Sequence, residues 1–222
     1  MIQFHRGWNC SPNTMPGSFL FCLLSALLTT GSSLICEVCQ ARQTSCSGNL
    51  QTCKDSEDVC TTIVGEYKIA GRTFPRTFKD CATTSLLCNF VPFSMTYRPS
   101  FSMRTSFNCC STDGCNSEQT ELPAVPRTPN GFQCPSCLAL GVSQCRNMDT
   151  LLCSGNEDHC FEITGTLMIN NMNFTKASAG CATAGTCSKK VGVHQYTKDI
   201  VDILTQVKCY PAIPAGSTRT EL

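Results

Sequence analysis

A chain of 222 residues with 17 Lys plus Arg against 16 Asp plus Glu is close to electroneutral, which excludes the strongly basic surface that nucleic-acid binding needs. Its distinctive component is cysteine, at 20 residues, a density that marks a disulfide scaffold made in an oxidising compartment.

In chain order, Arg6 precedes the apolar run Leu20-Phe21-Cys22-Leu23-Leu24-Ser25-Ala26-Leu27-Leu28, which is too short for a bilayer span and is built like a secretory leader. Residues 1–33 are read as a signal peptide, initiated at Met1 or Met15 and cleaved before Leu34 behind the small residues Gly31 and Ser33. Cys10, Cys22 and the Asn9-Cys10-Ser11 sequon leave with it, so the expected mature protein is extracellular and keeps 18 cysteines.

Those cysteines form two series in step. The first is Cys36, Cys39, Cys46, Cys53, Cys60, Cys81, Cys88, Cys109, Cys110 and Cys115; the second is Cys134, Cys137, Cys145, Cys153, Cys160, Cys181, Cys187 and Cys209. Four members recur with an offset of 100, as do Glu57-Asp58-x-Cys60 in Glu157-Asp158-x-Cys160 and Cys81-Ala82-Thr83 in Cys181-Ala182-Thr183. A period of that length means tandem domains. The boundaries follow as 34–117 for the first module, 118–133 for a linker containing Pro123, Pro126 and Pro129, and 134–222 for the second module. Modules of this size bury too little to fold on apolar contacts alone, and closing a loop of ~15 residues adds about 3 kcal/mol per bridge in the chain-entropy model.

The long intervals between cysteines read as hairpins. Thr61 to Tyr67 is a strand, Ala70-Gly71-Arg72 a turn, and Phe74 to Phe78 the returning strand. Alternation of Phe101, Met103, Thr105 and Phe107 closes the first module. In the second, Phe161, Ile163, Leu167 and Ile169 alternate with polar residues, Asn170-Asn171 supplies turn chemistry, and Val201, Ile203, Thr205 and Val207 close the module. No interval carries sustained helical periodicity, so the expected class is all-β.

The run Cys36-x2-Cys39-x6-Cys46-x6-Cys53-x6-Cys60-x20-Cys81-x6-Cys88-x20-Cys109-Cys110-x4-Cys115-Asn116 resembles the Ly6/uPAR three-finger family, down to its terminal Cys-Cys-x4-Cys-Asn. Counting leaves many connectivities open. The resemblance implies Cys36–Cys60, Cys39–Cys46, Cys53–Cys81, Cys88–Cys109 and Cys110–Cys115, and then Cys134–Cys160, Cys137–Cys145, Cys153–Cys181 and Cys187–Cys209. The second module departs from the pattern, since Tyr210 follows Cys209 and no later Cys-Asn appears, so its carboxy-terminal clamp is in question. Two tandem modules with a Pro-Asn-Gly-Phe-Gln-Cys-Pro-x-x-Cys join (Pro129 to Cys137) are most similar to the gamma-type phospholipase A2 inhibitors. That resemblance implies a secreted phospholipase A2 as partner; an extracellular receptor ligand or adhesion factor is the alternative. It leaves self-association open and assigns no binding residue.

Candidate chemistry is sparse. The Cys-x-x-Cys pairs at Cys36 and Cys134 could suggest zinc or redox work, but an even cysteine count behind a leader favours structural bridges, and no metal or cofactor is expected. Cys109-Cys110-Ser111-Thr112-Asp113-Gly114-Cys115 lacks the histidine that a secreted phospholipase needs to take a proton from water. His159 and His194 lie in no nucleophile motif, so no enzyme is expected. The Glu57-Asp58 and Glu157-Asp158 pairs read as solvated turns rather than calcium ligands or catalytic carboxylates. Asn173-Phe174-Thr175 is a glycosylation sequon near a loop tip. Ala70-Gly71-Arg72 and Tyr97-Arg98-Pro99 are the other fingertip candidates, Tyr97 as an exposed aromatic. The terminus Gly216 to Leu222 offers no hydrophobic tail, so no membrane anchor is expected.

Overall fold

The computed structural model describes residues 33–84, 88–125, 127–197 and 200–217; the leader features and the last residues of the carboxy terminus lie outside them. The chain is all-β, and the first module is built from β1 (Ile35–Ala41), β2 (Asn49–Thr52), β3 (Val59–Ile69), β4 (Arg72–Ala82), β5 (Phe93–Arg98) and β6 (Phe101–Cys110). The second repeats the plan with β7 (Pro129–Leu140), β8 (Asp149–Ser154), β9 (His159–Ile169), β10 (Met172–Ala182), β11 (Gly192–Thr197) and β12 (Ile200–Pro211), followed by the short β13 (Ile213–Pro214). Three antiparallel hairpins per module are the fingers. Short 3-10 turns lie at Cys115–Ser117 and Ala184–Ser188.

The long hairpins β3–β4 and β9–β10 close in two-residue turns, Ile69 opposite Arg72 and Ile169 opposite Met172. Both central residues have positive φ in each, 50° and 80° at Ala70-Gly71 and 48° and 65° at Asn170-Asn171, the mirror-image turn that matches strand twist. Asn tolerates this region and alanine does not, because its Cβ crowds the backbone. Ala70→Gly is therefore expected to raise stability by about 1 kcal/mol, seen as a higher urea midpoint at unchanged slope.

β7 starts at Pro129, which pairs with Ser154, so 129–133, read as the end of the linker, belong to the second module's first finger. Asn130 holds that start in place, its Nδ2 donating to the carbonyls of Gly155 and Glu157 at 3.1 and 3.0 Å.

The modules are not independent beads. The described residues from Leu34 onward form one compact unit, in which the edge of β5 pairs with the end of β10, Met95 opposite Ala182 and Thr96 opposite Cys181. Across this seam Phe93 and Met95 of the first module pack with Phe161, Ile163, Ala182 and Leu204 of the second into a single apolar core, with Tyr97, Met103, Phe107 and Val207 against it. Burying side chains of this size contributes ~2 kcal/mol each.

The join depends on two absent side chains. A Cβ on Gly180 would lie 2.0 Å from the Thr96 carbonyl oxygen, and one on Gly185 2.3 Å from that of Pro92. The repeat equivalent of Gly180 is the exposed Asp80, and that of Phe161 is Thr61. The first module thus cannot accept a strand where the second accepts β5, and the pairing occurs once per chain.

Candidate functional site

The nine bridges are Cys36–Cys60, Cys39–Cys46, Cys53–Cys81, Cys88–Cys109 and Cys110–Cys115, then Cys134–Cys160, Cys137–Cys145, Cys153–Cys181 and Cys187–Cys209. They gather at the palm, where Cys36 Sγ lies 3.2 Å from Cys53 Sγ and Cys134 Sγ 3.5 Å from Cys153 Sγ. Cys36, Cys53 and Cys81, and likewise Cys134, Cys153 and Cys181, are close enough to ring an ion. Every one of these sulfurs is spent in a bridge, however, and metal binds the thiolate.

Asn116 works as a clamp in the first module. Its Oδ1 accepts from the Glu37 amide at 2.9 Å, while Nδ2 donates to the carbonyls of Glu37 and Thr61. Buried beside it, Lys79 donates to Glu37 at 2.6 Å and holds that carboxyl below its usual range. Asn116→Ala is expected to cost about 2 kcal/mol, because three buried backbone groups lose their partner; thermal unfolding of the variant measures it.

The second module has no such asparagine, and one residue explains how it manages. Pro135 occupies the place of Glu37, and proline has no N–H to satisfy. The segment after β12 is instead held by β13, Ile213 and Pro214 pairing with Gln133 and Phe132. Ala212 N donates to Asp158 O, Ala215 N to Gly131 O, and Gln133 Nε2 to Ser217 O.

Two expectations are overturned at the seam between modules. Glu157, read as a solvated turn residue, is 1% exposed, and its Oε1 accepts from Ser94 Oγ at 3.0 Å and Thr96 Oγ1 at 2.9 Å. Loss of water outweighs those two bonds and pushes its carboxyl up to about 7. Glu57, its repeat mate, is a turn residue accepting from the Lys54 amide. Tyr97, read as an exposed fingertip aromatic, turns inward edge-on to Phe161 at 5.3 Å, and burial raises its hydroxyl pKa. On the same seam Lys189 Nζ lies 4.6 Å from the Phe93 ring centre. Desolvation lowers its ammonium pKa to about 8 although Asp202 opposes this. Asp202 accepts from Lys176 at 2.7 Å. The alternation of Phe93 and Met95 with Ser94 and Thr96 was the available sign of a two-faced strand here.

The fingertips carry what remains exposed. Ile69 and Phe74 flank the Ala70-Gly71 turn, and Met172 and Phe174 flank Asn173 past the Asn170-Asn171 turn; Leu140 and Val142 tip the β7–β8 finger. Strand alternation places Asn173 on the face opposite Met172 and Phe174, so a glycan there would leave the apolar side of the finger uncovered.

Residues 34–117 match the family model described as Phospholipase A2 inhibitor, and 130–210 match the u-PAR/Ly-6 domain. Over 214 residues the chain is 32% identical to a gamma-subunit phospholipase A2 inhibitor of Gloydius brevicaudus siniticus, covering 90% of this chain and 98% of that protein. The chain belongs to the Ly6/uPAR family and is homologous to the gamma-type phospholipase A2 inhibitors. Phospholipase A2 inhibitor NAI of Notechis ater is 28% identical over 90% of this chain and 98% of its own length, and a gamma-subunit inhibitor of Laticauda semifasciata 29% over 83% and 99%.

The relatives named above are inhibitors of phospholipase A2. His159 Nδ1 is paired with Asp158 at 2.7 Å, and His194 Nε2 with the Lys190 carbonyl at 2.6 Å.

Proposed function

We propose that this protein is secreted and inhibits a secreted phospholipase A2 by docking on the enzyme, so that its approach to phospholipid is blocked. The observation that carries the reading is likeness to a gamma-type inhibitor along 98% of that protein's length, both modules included. A rigid seam suits the task, since fingers fixed before binding lose less entropy on docking. The exposed apolar side chains of the fingertips supply the kind of anchor on which interface energy concentrates.

The test is hydrolysis of phospholipid by a panel of secreted phospholipases with rising amounts of the purified protein. Inhibition proportional to complex formed supports the reading. Absence of binding to every enzyme moves it to the second reading, an extracellular receptor ligand of Ly6 type, which the u-PAR/Ly-6 match of 130–210 favours. On the same reading the mature chain starts at Leu34 and carries a glycan on Asn173. Amino-terminal sequencing and the mass lost on amidase treatment of secreted protein check both.

A further inference from the structure

The outer face of the first module's central sheet carries two polar rows in register. Thr73, Lys68, Ser102 and Thr96 stand side by side across β4, β3, β6 and β5, and Glu66, Arg104 and Ser94 form the next row. Cross-strand neighbours of this kind lie about 5 Å apart, close enough for one small ligand to touch several. The connector folds over the rows, with Arg104 Nη1 donating to Pro123 O at 2.5 Å. Together they enclose a cleft of about 510 Å³ lined also by Val125, Arg127 and Glu157.

The cleft has more donors than acceptors. Glu66 is taken by Arg104 at 2.9 Å and Glu157 by the Ser94 and Thr96 hydroxyls. Lys68 spends one of its three donors on the Pro99 carbonyl at 3.0 Å. The exposed Arg127 guanidinium and the Thr73 and Ser102 hydroxyls have no partner among the described residues. With Arg104 neutralised by Glu66, and the Ser94 and Thr96 hydroxyls already held by Glu157, the Lys68 and Arg127 cations and the Thr73 and Ser102 hydroxyls are left as donors against one partly protonated carboxyl. A ligand that matches must be compact, anionic and rich in acceptor oxygens.

We propose that this cleft binds a phosphate group, with Lys68 and Arg127 as its charge partners and the Thr73 and Ser102 hydroxyls as further donors. The chemistry is shared by free phosphate, a soluble phosphomonoester and the phosphodiester of a lipid headgroup. The test of this site does not depend on phospholipase inhibition, since phosphate binding is read on the protein alone with no enzyme present.

Amide-resolved NMR titration of the full secreted chain, at constant ionic strength, uses inorganic phosphate, glycerol 3-phosphate and glycerophosphocholine as probes. The expected result is saturable shifts in β3, β4 and β6 with at least one probe. Lys68→Gln and Arg127→Gln each raise the dissociation constant about tenfold. Lys208→Gln, which alters a pair with Glu162 outside the lining of the cleft, leaves it unchanged. Saturation with glycerophosphocholine identifies a headgroup site, and saturation with phosphate or glycerol 3-phosphate alone identifies a soluble ligand. The proposal is overturned if no probe saturates at millimolar concentration, or if both variants, folded by near-ultraviolet dichroism, bind as well as the parent.

Discussion

Raising the pH from 5 to 8 is expected to weaken the native fold by up to about 3 kcal/mol, and Glu157→Gln is expected to remove most of that loss. A buried carboxyl whose folded pKa is near 7, against an ordinary 4.5, binds its proton more tightly folded than unfolded. Its stabilising contribution is whole below the unfolded value and is lost as pH rises through 7, at ~1.4 kcal/mol for each pH step of one between the two values. Glutamine keeps the acceptor oxygen that Ser94 and Thr96 use, since both bond the same Oε1, and it carries no charge to desolvate. Lys189 acts in the opposite sense above this window. Its folded pKa of about 8 lies below the ordinary 10.5, so the cost of burying its charge is relieved only as pH climbs beyond 8. Stability should therefore pass through a minimum between about pH 7 and 8. Denaturant unfolding across pH, parent against variant, decides the matter; parallel curves for the two proteins would sink the assignment to Glu157. The charged groups around the same cleft, Glu66, Lys68, Arg104 and Arg127, are common to both proteins and cancel in the comparison.

Gly180→Asp, which copies the first module's Asp80 into the second, is expected to open the seam between modules. A Cβ at this position meets the Thr96 carbonyl oxygen at 2.0 Å, so β5 must withdraw from β10, and a carboxylate would be buried without a partner. The loss should be on the order of 3–5 kcal/mol. Because the nine bridges lie within modules and none crosses between them, each three-finger unit should survive. The expected signature is thus a larger radius of gyration in solution scattering and faster proteolysis within 118–128, with β-sheet dichroism retained. An unchanged radius and melting curve would show that the seam tolerates the side chain. The reciprocal Asp80→Gly should leave the seam unchanged and cost only about 1 kcal/mol, since it removes the acceptor of the Cys81 amide and puts glycine inside a strand.

Together the two variants separate rigidity from recognition. If the fixed seam matters for docking, Gly180→Asp weakens association through lost preorganisation while the fingertip residues stay intact.

The sequence by itself determined the class, the repeat and the hairpins. Cysteine spacing and local turn chemistry are short-range properties: Cys53 and Cys153, or Ala70-Gly71 and Asn170-Asn171, declare themselves within a few residues. Even the absent clamp of the second module was legible as an absence, though its remedy was not, because Pro135 matters only when one knows that Asn116 serves the amide of Glu37. The seam was decided by tertiary structure alone. Glu57 and Glu157 stand in the same motif, yet one accepts from its own turn and the other is sealed beneath the opposite module, and Tyr97 turned inward for the same reason. Local pattern cannot tell such mates apart. Their burial depends on which strand edge meets which, and that choice rests on whether a side chain, as at Asp80, or none, as at Gly180, occupies the line of approach.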